Sequence, residues 1–295
     1  MEQLDRAWLA RNPLPAPDAG GDKNARGRVL VVGGAELVPG ALRLTGEAAL
    51  RAGAGKLQMA TVRAAAIPLA VLVPEASMFA LPADDKGEIA ADAASILHER
   101  LAKSDALVFG PGMSRGEHTP ALVAEVLKAG APGMTIVLDA GALTAAGNLR
   151  KEITAREGRV ILTPHHGEMS RLANTSAEAI AEDPRAAACR IAAEFNAVVA
   201  LKGVRTVVAA PDGRCAVFTG GNNGLATSGS GDVLAGIIGG LAARGASAFA
   251  AAGWGVFVHG AAGESAARES AEIGYLARDL VPLIPGLIAE LGPSV

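Results

Sequence analysis

Hydrophobic residues fall into two kinds of run that alternate from about residue 27 to the end of the chain. Short runs of Val, Ile and Leu bounded by Gly or polar residues are typical of buried strands, and longer Ala- and Leu-containing segments are typical of helices. The first unit consists of the run Arg28–Val32, the turn Gly33-Gly34 and a segment from Pro39 to Gly53. Because Pro favours the start of a helix and Gly its end, this unit predicts a strand, a turn and a helix.

The alternation continues and predicts an α/β fold with a mostly parallel sheet covered by helices on both faces. Helices that join parallel strands are expected to form right-handed crossovers. The turn sequence Pro211-Asp-Gly213 separates two late strands and predicts an antiparallel hairpin near the C-terminal end. The further predicted strands are Lys56–Val62, Ala106–Phe109, Thr135–Leu138, Val160–Leu162, Val198–Leu201, Thr206–Ala209 and 214–218, and the further helices are 64–73, 89–103, 119–128, 169–173, 184–195 and those after Gly231.

The sequence shows no sign of a division into separate domains, since it has no Pro/Ser-rich linker and no internal repeat. We therefore expect a single domain over residues 1–295. Residues 1–26 are rich in Pro, Gly and Asp, and they predict an extended lead-in before the first strand. This segment has acidic residues early and no apolar central run, so it does not resemble a signal peptide.

Composition and charge point to small molecules as the expected partners. The net charge is −3 and aromatic residues make up 3% of the chain, so neither a basic surface nor a stacking platform for nucleic acid is expected. The most membrane-like run, 246–263, is dominated by Ala and Gly, and we interpret it as a buried helix rather than a membrane span. Cys189 and Cys215 lack CxxC companions, which argues against a disulfide framework or a zinc site and favours a cytoplasmic protein.

The segment GGNNGLATSGSGDVLAGIIGG, from Gly220 to Gly240, combines a glycine-rich loop with an apolar run that predicts a helix. Glycines let the backbone approach a ligand closely, and the free N–H groups at the start of a helix attract anions. We therefore predict a phosphate site at Gly229, Ser230 and Gly231. The next residue, Asp232, could simply complement the helix dipole, or it could accept the proton of a hydroxyl that attacks a phosphoryl group.

Polar residues follow several predicted strands, at the edge where open α/β sheets bind ligands. Three carboxylates, a histidine and a lysine are expected to collect there with the glycine-rich loop, and the Walker sequence GxxxxGK[ST] is absent. These residues are Asp139, His165, Glu168, Lys202 and Asp232. They favour phosphate chemistry but leave the reaction open.

Six ordered motifs make the chain resemble the ADP- or ATP-dependent NAD(P)H-hydrate dehydratases, which belong to the ribokinase-like superfamily. The segment GGNNGLATSGSGDVLAGIIGGLAARG is similar to the family signature (N)xGLA(T/K)GGTGDxLxGxIxGLLAQG. The other motifs are PGALRLTGEAALRAGAGKLQMAT, VFGPGMSR, VLDAGAL, LTPHHGEMSRL and LKGVRTVVAAPDG, and together they cover the chain from about residue 27 onward.

Three positions depart from the family pattern: Ser228 replaces a usual Gly, Ser230 a usual Thr and His166 a usual Pro. Ser230 keeps the hydroxyl group of Thr, so we expect the loop to function. Ser228 stands where Gly would tolerate unusual backbone angles better.

The resemblance implies a ribokinase-like, three-layer α/β/α fold and a metabolite-repair reaction. The family removes water from the S-epimer of hydrated NADH or NADPH; the nucleotide phosphorylates the ring hydroxyl, and phosphate is then eliminated. Asp232 would be the catalytic base, Mg²⁺ would accompany the nucleotide, and AMP and phosphate would be released from ADP. Free-standing relatives typically use ADP rather than ATP, so ADP is the expected co-substrate.

Matching the motifs residue by residue implies a dinucleotide site and a nucleotide site. The hydrated dinucleotide would contact Ala41, Gly112, His165 and Asp232, and the AMP portion would contact Lys202, Gly203, Val204, Arg205, Thr206 and Gly231. Glu168 matches a glutamate that helps to place Mg²⁺ through water.

Each of these assignments has a simpler structural alternative. His165 could cap the helix that follows it, Lys202 could be a solvated turn residue, and Asp139 could support its own turn. Arg205 could be a surface charge or lie at the rim of the phosphate site. A metal site formed by His165 and His166 is disfavoured, because no third ligand lies at a suitable spacing.

Two other functions share part of this pattern. A ribokinase-like kinase for a vitamin precursor, hydroxymethylpyrimidine or hydroxyethylthiazole, would have the glycine loop and Asp232 but not the PGA, LTPH and KGxxT motifs. A non-catalytic nucleotide-binding regulator would be expected to lack Asp232.

The resemblance also bears on partners. It implies a homo-oligomer, with a tetramer as the expected state. In many relatives an epimerase domain precedes this one, but only about 26 residues precede the first strand here. We therefore expect the epimerase to be a separate protein or to be absent.

Overall fold

Ten strands form one sheet in the computed structural model, which describes residues 2–16 and 23–292. Their order across the sheet is β1-β10-β9-β8-β7-β6-β5-β2-β3-β4. The strands are β1 (Glu2–Gln3), β2 (Arg28–Val32), β3 (Lys56–Val62), β4 (Ala76–Leu81), β5 (Ala106–Phe109), β6 (Thr135–Leu138), β7 (Val160–Leu162), β8 (Val198–Leu201), β9 (Thr206–Ala209) and β10 (Cys215–Phe218).

Strand pairing is parallel except around β9, which runs antiparallel to both β8 and β10. In the β9/β10 hairpin, Ala209 lies opposite Cys215 and Thr206 lies opposite Phe218. The predicted hairpin at the turn Pro211-Asp-Gly213 is therefore confirmed, and so is the mostly parallel sheet.

Fourteen α-helices connect and cover the strands of the described chain. They are α1 (Arg6–Arg11), α2 (Pro39–Arg51), α3 (Arg63–Leu72), α4 (Ala93–Leu101), α5 (Thr119–Ala129), α6 (Ala140–Ala145), α7 (Arg150–Thr154), α8 (His166–Leu172), α9 (Ala177–Glu182), α10 (Pro184–Phe195), α11 (Ser230–Ala243), α12 (Ala248–Glu269), α13 (Ala277–Leu280) and α14 (Ile284–Leu291). Short 3-10 turns lie at Ala146–Asn148, Asn223–Leu225 and Val281–Leu283.

Side chains of the central strands alternate between the two faces of the sheet, because the side-chain period of a strand is two. In β2, Val29 and Val31 belong to the core that contains residues of α2, α11 and α12. Leu30 and Val32 belong to the core on the other face, with residues of α4, α5 and α10. All four are fully buried, which explains why the strand is a continuous apolar run rather than an alternating one.

The N-terminal segment differs from the predicted extended lead-in. Residues Glu2–Gln3 pair with β10, and α1 begins after Asp5, whose carboxylate accepts a hydrogen bond from the backbone N–H of Trp8 at 2.8 Å. Trp8 is fully buried and meets the ring of Phe249 edge-on at 5.4 Å. This burial depends on α12, far along the chain, so local composition gives no sign of it; residues 17–22 of the lead-in lie outside the described residues.

Other differences lie at the surface of the fold. The strand β4 and the short helices α6, α7 and α9 are absent from the sequence-based prediction. β4 is an edge strand with mostly half-buried side chains, and its sequence ASMFAL lacks the β-branched residues that mark most of the central strands. The predicted helix 89–103 is shorter in the structure, where α4 spans Ala93–Leu101.

The charge-free stretch 246–263 lies largely within α12, and most of its side chains are buried, as predicted. Across the described part of the chain, the structure contains no helix that has both the length and the apolar character needed to cross a membrane. Cys189 and Cys215 are free cysteines.

Candidate active site

Three neighbouring parallel strands, β6, β7 and β8, bring polar residues together at their carboxyl ends. Asp139 follows β6, Thr163 follows β7 and Lys202 follows β8. The backbone N–H of Lys202 donates to the carbonyl oxygen of Pro164 at 2.8 Å, which ties the last two turns together. The sheet therefore supplies a common edge for residues that are widely separated in sequence.

An ion pair lies at the base of this edge. The ammonium group of Lys202 is 3.2 Å from Asp139 Oδ1, and the same oxygen accepts a hydrogen bond from the Thr163 hydroxyl at 2.7 Å. The Asp139 side chain is only 4% exposed. Although Asp139 precedes α6, its side chain makes no capping hydrogen bond to that helix. Its main contacts are with the lysine and the threonine, so it belongs to the polar cluster.

Electrostatics keep Lys202 charged. Burial alone would lower its pKa, but the surrounding carboxylates outweigh burial and raise the pKa above the usual lysine value. Asp139 contributes most to this rise, followed by Glu168 and then Asp232. The lysine is therefore a fixed positive charge shared by three carboxylates, not a solvated turn residue.

The glycine-rich loop leads into α11 as predicted, with Gly229 at the N-cap position in the left-handed region at φ +87°. Asp232 lies in the first turn of this helix. Its pKa is raised to about 7, mainly by burial and also by the nearby charge of Asp139, while Lys202 acts in the opposite direction. A carboxylate with this pKa exchanges its proton near neutral pH, as a general base requires.

The start of α11 and the Lys202 side chain point toward a common space. A methyl group placed on Gly231 would lie 3.4 Å from the Lys202 nitrogen. The free N–H groups of the 14-residue helix and the lysine therefore present positive charge to the same position. Such a position suits the phosphate groups of a nucleotide.

A second buried contact was not predicted from the sequence. The hydroxyl of Ser230, the first residue of α11, lies 2.9 Å from His259 Nε2 on α12. Burial lowers the pKa of His259 to about 4, so its imidazole is neutral at physiological pH. The histidine lies in an Ala- and Gly-rich helix, and nothing in the local pattern marks it as part of a site.

The His165 side chain caps α8, which is the simpler of the two roles considered for this residue. Its Nδ1 accepts hydrogen bonds from the backbone N–H groups of Gly167 and Glu168 at 3.0 and 3.3 Å. In return, the Glu168 carboxylate accepts from the backbone N–H of His165 at 2.9 Å, which completes a capping box. The His165 side chain is 58% exposed, so its remaining ring nitrogen stays within reach of a ligand.

His166 lies beneath the turn that follows β8. Its Nε2 is buried beside Gly203, and a methyl group on Gly203 would come within 2.8 Å of it. Within residues 2–16 and 23–292, this nitrogen has no hydrogen-bond partner. His166 and His165 therefore face different surroundings and do not form a metal-binding pair.

Two further predicted residues meet near the turns after β2 and β5. Gly112 adopts φ +69°, and a methyl group on it would collide with the Ala41 side chain and the Val38 carbonyl oxygen, each at 2.9 Å. Glycine is therefore required here by both the backbone angle and the close approach of α2. α2 also reaches the start of α11, where a methyl group on Gly229 would lie 2.6 Å from the Leu44 side chain.

The remaining predicted nucleotide contacts lie in the turn between β8 and β9. Gly203, Val204 and Arg205 are exposed, with Val204 at 95%, and the Thr206 hydroxyl donates to the Gly203 carbonyl oxygen at 3.3 Å. The structure thus places Lys202 inside the polar cluster and the following residues at its open rim. Their backbone is accessible to a ligand, whereas their side chains do not contact Asp232 or Asp139.

The carboxylates of this cluster could bind a metal ion only if a bound ligand supplied further coordinating oxygens. Among the described residues, no group of three or more His, Cys, Asp or Glu side chains could hold a metal ion. Mg²⁺ commonly binds through one or two carboxylates, several waters and the phosphate groups of a substrate. Glu168, with its side chain 11% exposed at the edge of the cluster, fits that mode of binding.

Comparison with known proteins places this geometry in context. Residues 29–286 match the family model described as NAD(P)H-hydrate dehydratase. The chain is 46% identical over 292 residues to the ADP-dependent (S)-NAD(P)H-hydrate dehydratase of Xanthomonas campestris, covering 99% of this chain and 97% of that protein. It is also 43% identical over 294 residues to a bifunctional NAD(P)H-hydrate repair enzyme of Moorella thermoacetica, and it spans 54% of that longer protein.

A solved structure supports the same grouping. The ADP/ATP-dependent NAD(P)H-hydrate dehydratase of Bacillus subtilis, co-crystallised with ATP and Mg²⁺, superposes with a TM-score of 0.78 and 28% identity. The match covers 98% of each chain. The predicted ribokinase-like, three-layer α/β/α fold is confirmed.

Proposed function

Since this chain belongs to the NAD(P)H-hydrate dehydratase family, we propose that the cluster around Asp232 and Lys202 is where it performs the family's reaction. The protein is a lyase that uses a nucleotide to dehydrate the S-epimer of hydrated NADH or NADPH. ADP is the nucleotide named for the Xanthomonas relative, and its use would release AMP and phosphate. The observation that carries the site assignment is a carboxylate of pKa about 7 at the start of an anion-binding helix.

Asp232 is the proton acceptor in this proposal. The hydroxyl of the hydrated nicotinamide ring attacks the terminal phosphoryl group of the nucleotide, and its proton passes to the Asp232 carboxylate. The C–O bond of the phosphoester then breaks with the help of the ring-nitrogen lone pair, and phosphate leaves. The iminium that results loses the proton of the adjacent ring carbon to water, which restores the double bond of the reduced ring. The raised pKa of Asp232 suits this role, because the group accepts a proton readily yet is ionised above about pH 7.

Lys202 and the start of α11 stabilise the phosphate that moves. Negative charge on the transferred group would face the ammonium of Lys202, the backbone N–H groups of Gly229 and Gly231, and the side chain of Ser230. Asp139 holds Lys202 in place through the 3.2 Å ion pair. These groups are preorganised, so they need little rearrangement as charge develops.

The two ligands occupy neighbouring parts of the carboxyl edge in this proposal. The hydrated dinucleotide contacts Ala41, Gly112, His165 and Asp232, and the close approach of Gly112 to Ala41 supports a shared binding surface. The AMP portion contacts the exposed turn from Lys202 to Thr206 and the backbone of Gly231. The single-domain organisation of the chain remains part of the proposal.

Mg²⁺ would be held by the nucleotide phosphates and, through water, by Glu168. The metal would supply positive charge that offsets the charge of the phosphates. The crystallisation of the Bacillus relative with ATP and Mg²⁺ supports this part of the proposal.

The setting and partners of the enzyme follow from the same grouping. We place it in the cytoplasm, which the two free cysteines favour. An epimerase would supply the S-epimer, in keeping with the bifunctional Moorella relative that this chain spans only in part. We further propose a homotetramer, supported by exposed apolar residues on α3, among them Ile67 at 66% and Val71 at 79%. Light scattering coupled to size-exclusion chromatography would measure the mass of the assembly, and a mass other than four chains would contradict the tetramer.

The activity is tested by mixing the purified protein with NADH hydrate, Mg²⁺ and either ADP or ATP. We expect the near-ultraviolet absorbance of reduced nicotinamide to recover, with one phosphate released per NADH formed. The nucleotide that gives the faster recovery of absorbance is the preferred co-substrate. Folded protein that binds nucleotide but restores no NADH with either one would contradict the proposal.

A further inference from the structure

The contact between Ser230 and His259 lies at the anion-binding end of α11. Ser230 is only 4% exposed, and its hydroxyl oxygen is 2.9 Å from His259 Nε2, a normal hydrogen-bond distance. The backbone N–H of Ser230 donates to the Thr227 carbonyl oxygen at 3.3 Å, within the loop itself. The hydroxyl is therefore held from α12 rather than from its own loop.

His259 reaches this position because α12 packs closely on α11. A methyl group on Gly255, one turn before His259, would lie 2.5 Å from the Ile238 side chain of α11. Small residues along α12 thus let the two helices approach, and the imidazole fills the space next to the first turn of α11. Both helices belong to the same buried core, so the contact is supported by rigid elements.

The charge state of His259 limits what its ring can do. Burial, together with the nearby charge of Lys202, keeps the imidazole neutral, so one ring nitrogen carries a proton and the other does not. If Nε2 carries the proton, it donates to Ser230 Oγ and leaves the hydroxyl proton free. If Nδ1 carries it, the serine hydroxyl must donate to Nε2, and its lone pairs then face the anion site.

We propose that His259 is a positioning residue whose Nε2–H donates to Ser230 Oγ and directs the hydroxyl proton toward the phosphoryl group bound at the start of α11. This inference rests on the proposed function for the identity of that phosphoryl group. A phosphoryl group held there by Lys202 and the helix N–H groups selects this arrangement, because its oxygens accept hydrogen bonds and do not donate them. Ser230 then adds one more donor to the transferred phosphate.

The tautomer can be measured without turnover. In nitrogen-15 NMR spectra of the full chain labelled at histidine and saturated with ADP, with His259→Gln as the assignment control, we expect the Nε2-protonated tautomer of His259. A neutral ring protonated at Nδ1 in the ADP complex would overturn the proposal. Because this spectrum needs ADP but no hydrated dinucleotide, it separates a failure of the inference from a failure of the proposed dehydration.

The kinetic test uses the single variants Ser230→Ala and His259→Phe and the double variant that combines them. Loss of one donor to a developing negative charge typically costs on the order of 10²-fold in kcat, so we expect a loss of about 10- to 100-fold in each single variant. Calorimetric affinity for ADP should change less than kcat does. The double variant should be no slower than Ser230→Ala, because His259 acts only through the hydroxyl.

Two controls distinguish positioning from a general disturbance. Ser230→Thr retains the hydroxyl and should keep most of the turnover. Phe257→Leu alters a neighbouring residue of α12, whose ring lies 5.5 Å from that of Phe218, and should lower stability without lowering kcat. Wild-type turnover in His259→Phe would overturn the role of His259. A loss of kcat in the double variant equal to the product of the two single losses would overturn it as well.

Discussion

At the scale of single residues, the site depends on how two carboxylates share the charge of one lysine. Asp139 pairs directly with Lys202 and accepts a hydrogen bond from Thr163, so its negative charge is compensated. Asp232 is partly buried without such a direct pair and feels the repulsion of Asp139, and its pKa therefore rises to about 7. The geometry thus makes Asp139 the direct partner of Lys202, and the environment of Asp232 makes that residue the proton acceptor.

The substitution Asp232→Asn tests both the chemistry and the electrostatics of this residue. Turnover should fall by about 10²- to 10⁴-fold, because a general base is lost, while ADP binding stays close to that of the wild type. Near wild-type turnover would remove Asp232 from the mechanism.

The same variant should be more stable than the wild type at alkaline pH. The folded protein holds a proton on Asp232 up to about pH 7, whereas the unfolded chain releases it near the usual Asp pKa, so wild-type stability falls between these values as pH rises. At about pH 8 we expect Asp232→Asn to gain on the order of 1–3 kcal/mol in the free energy of unfolding. Denaturant titrations should show this gain shrinking toward about pH 4. A gain that is independent of pH would contradict the assigned pKa.

The pH profile of kcat/KM provides another prediction. Activity should decline about tenfold per pH unit below about pH 7, as Asp232 becomes protonated. In Asp139→Asn the repulsion is removed, so the pKa of Asp232 should fall and the decline should begin at lower pH. Asp212→Asn, in the hairpin turn, is the matched control and should leave the profile unchanged. An unshifted profile in Asp139→Asn would show that Asp139 does not set the pKa of Asp232.

Lys202→Ala should weaken ADP binding more than hydrate binding, because the lysine faces the phosphate position at the start of α11. Isothermal titration calorimetry with each ligand measures the difference. Because removing the lysine leaves the Asp139 charge buried without its partner, the double variant Lys202→Met/Asp139→Asn keeps the test valid if the single variant is unstable. Lys128→Ala, at an exposed position of α5, is the control. A greater loss of hydrate binding than of ADP binding in Lys202→Ala would refute the assignment.

At the scale of elements, α2 and α11 are joined so closely that stability and site geometry are coupled. A methyl group on Gly236 of α11 would lie 2.3 Å from the carbonyl oxygen of Thr45 on α2. The same two helices carry Ala41 and Asp232 toward the carboxyl edge of the sheet. Any separation of α2 from α11 would therefore change the distance between the dinucleotide surface and the base.

Gly236→Ala should consequently reduce both stability and activity. Overpacking of this kind costs typically about 1–3 kcal/mol, and the shift of α2 should lower kcat/KM in the protein that remains folded. Gly286→Ala is a matched control, because Gly286 lies within α14 with open space around it. That control should gain up to about 1 kcal/mol from helix propensity. Thermal unfolding and steady-state kinetics of Gly236→Ala and Gly286→Ala measure these changes. Unchanged stability in Gly236→Ala would contradict the close packing of α2 against α11.

At the scale of the whole molecule, residues 2–16 close one end of the core. The backbone N–H of Leu4 donates to Val217 in β10 at 2.9 Å, and the indole N–H of Trp254 donates to the Asn12 carbonyl oxygen at 2.7 Å. Trp8 fits against Gly253, where a methyl group would come within 2.2 Å of the indole. The segment therefore contributes to the packing of α12, well away from Asp232 in sequence.

Trp8→Ala should destabilise the protein without changing the chemistry. Truncation of a fully buried aromatic residue costs about 3–5 kcal/mol, so the Tm should fall by roughly 5–15 °C. The kcat of the folded fraction should match that of the wild type. Ile96→Ala, at a position 41% exposed on α4, should shift the Tm far less. An equal shift in the two variants would show that the N-terminal segment does not close the core.

Most of the central sheet and its ligand-binding edge could be predicted from the sequence. Burial on both faces selects continuous apolar strands, and the turns that follow them stand out as polar or glycine-rich, so eight of the ten strands were located. The loop before α11 was likewise predicted, because a run of small residues before an apolar helix has a local signature. The edge strands β1 and β4 lack such a signature and were missed.

The order of the central strands, the anion-binding loop and the family can be inferred from the sequence, because each depends on residues that are close together in the chain. The pairing of Asp139 with Lys202, 63 positions away, and the contact of His259 with Ser230, 29 positions away, become visible only in the folded protein. The same holds for α1 in the N-terminal segment, which buries Trp8 and Leu9. These contacts depend on which elements meet in space, and local periodicity contains no information about that meeting.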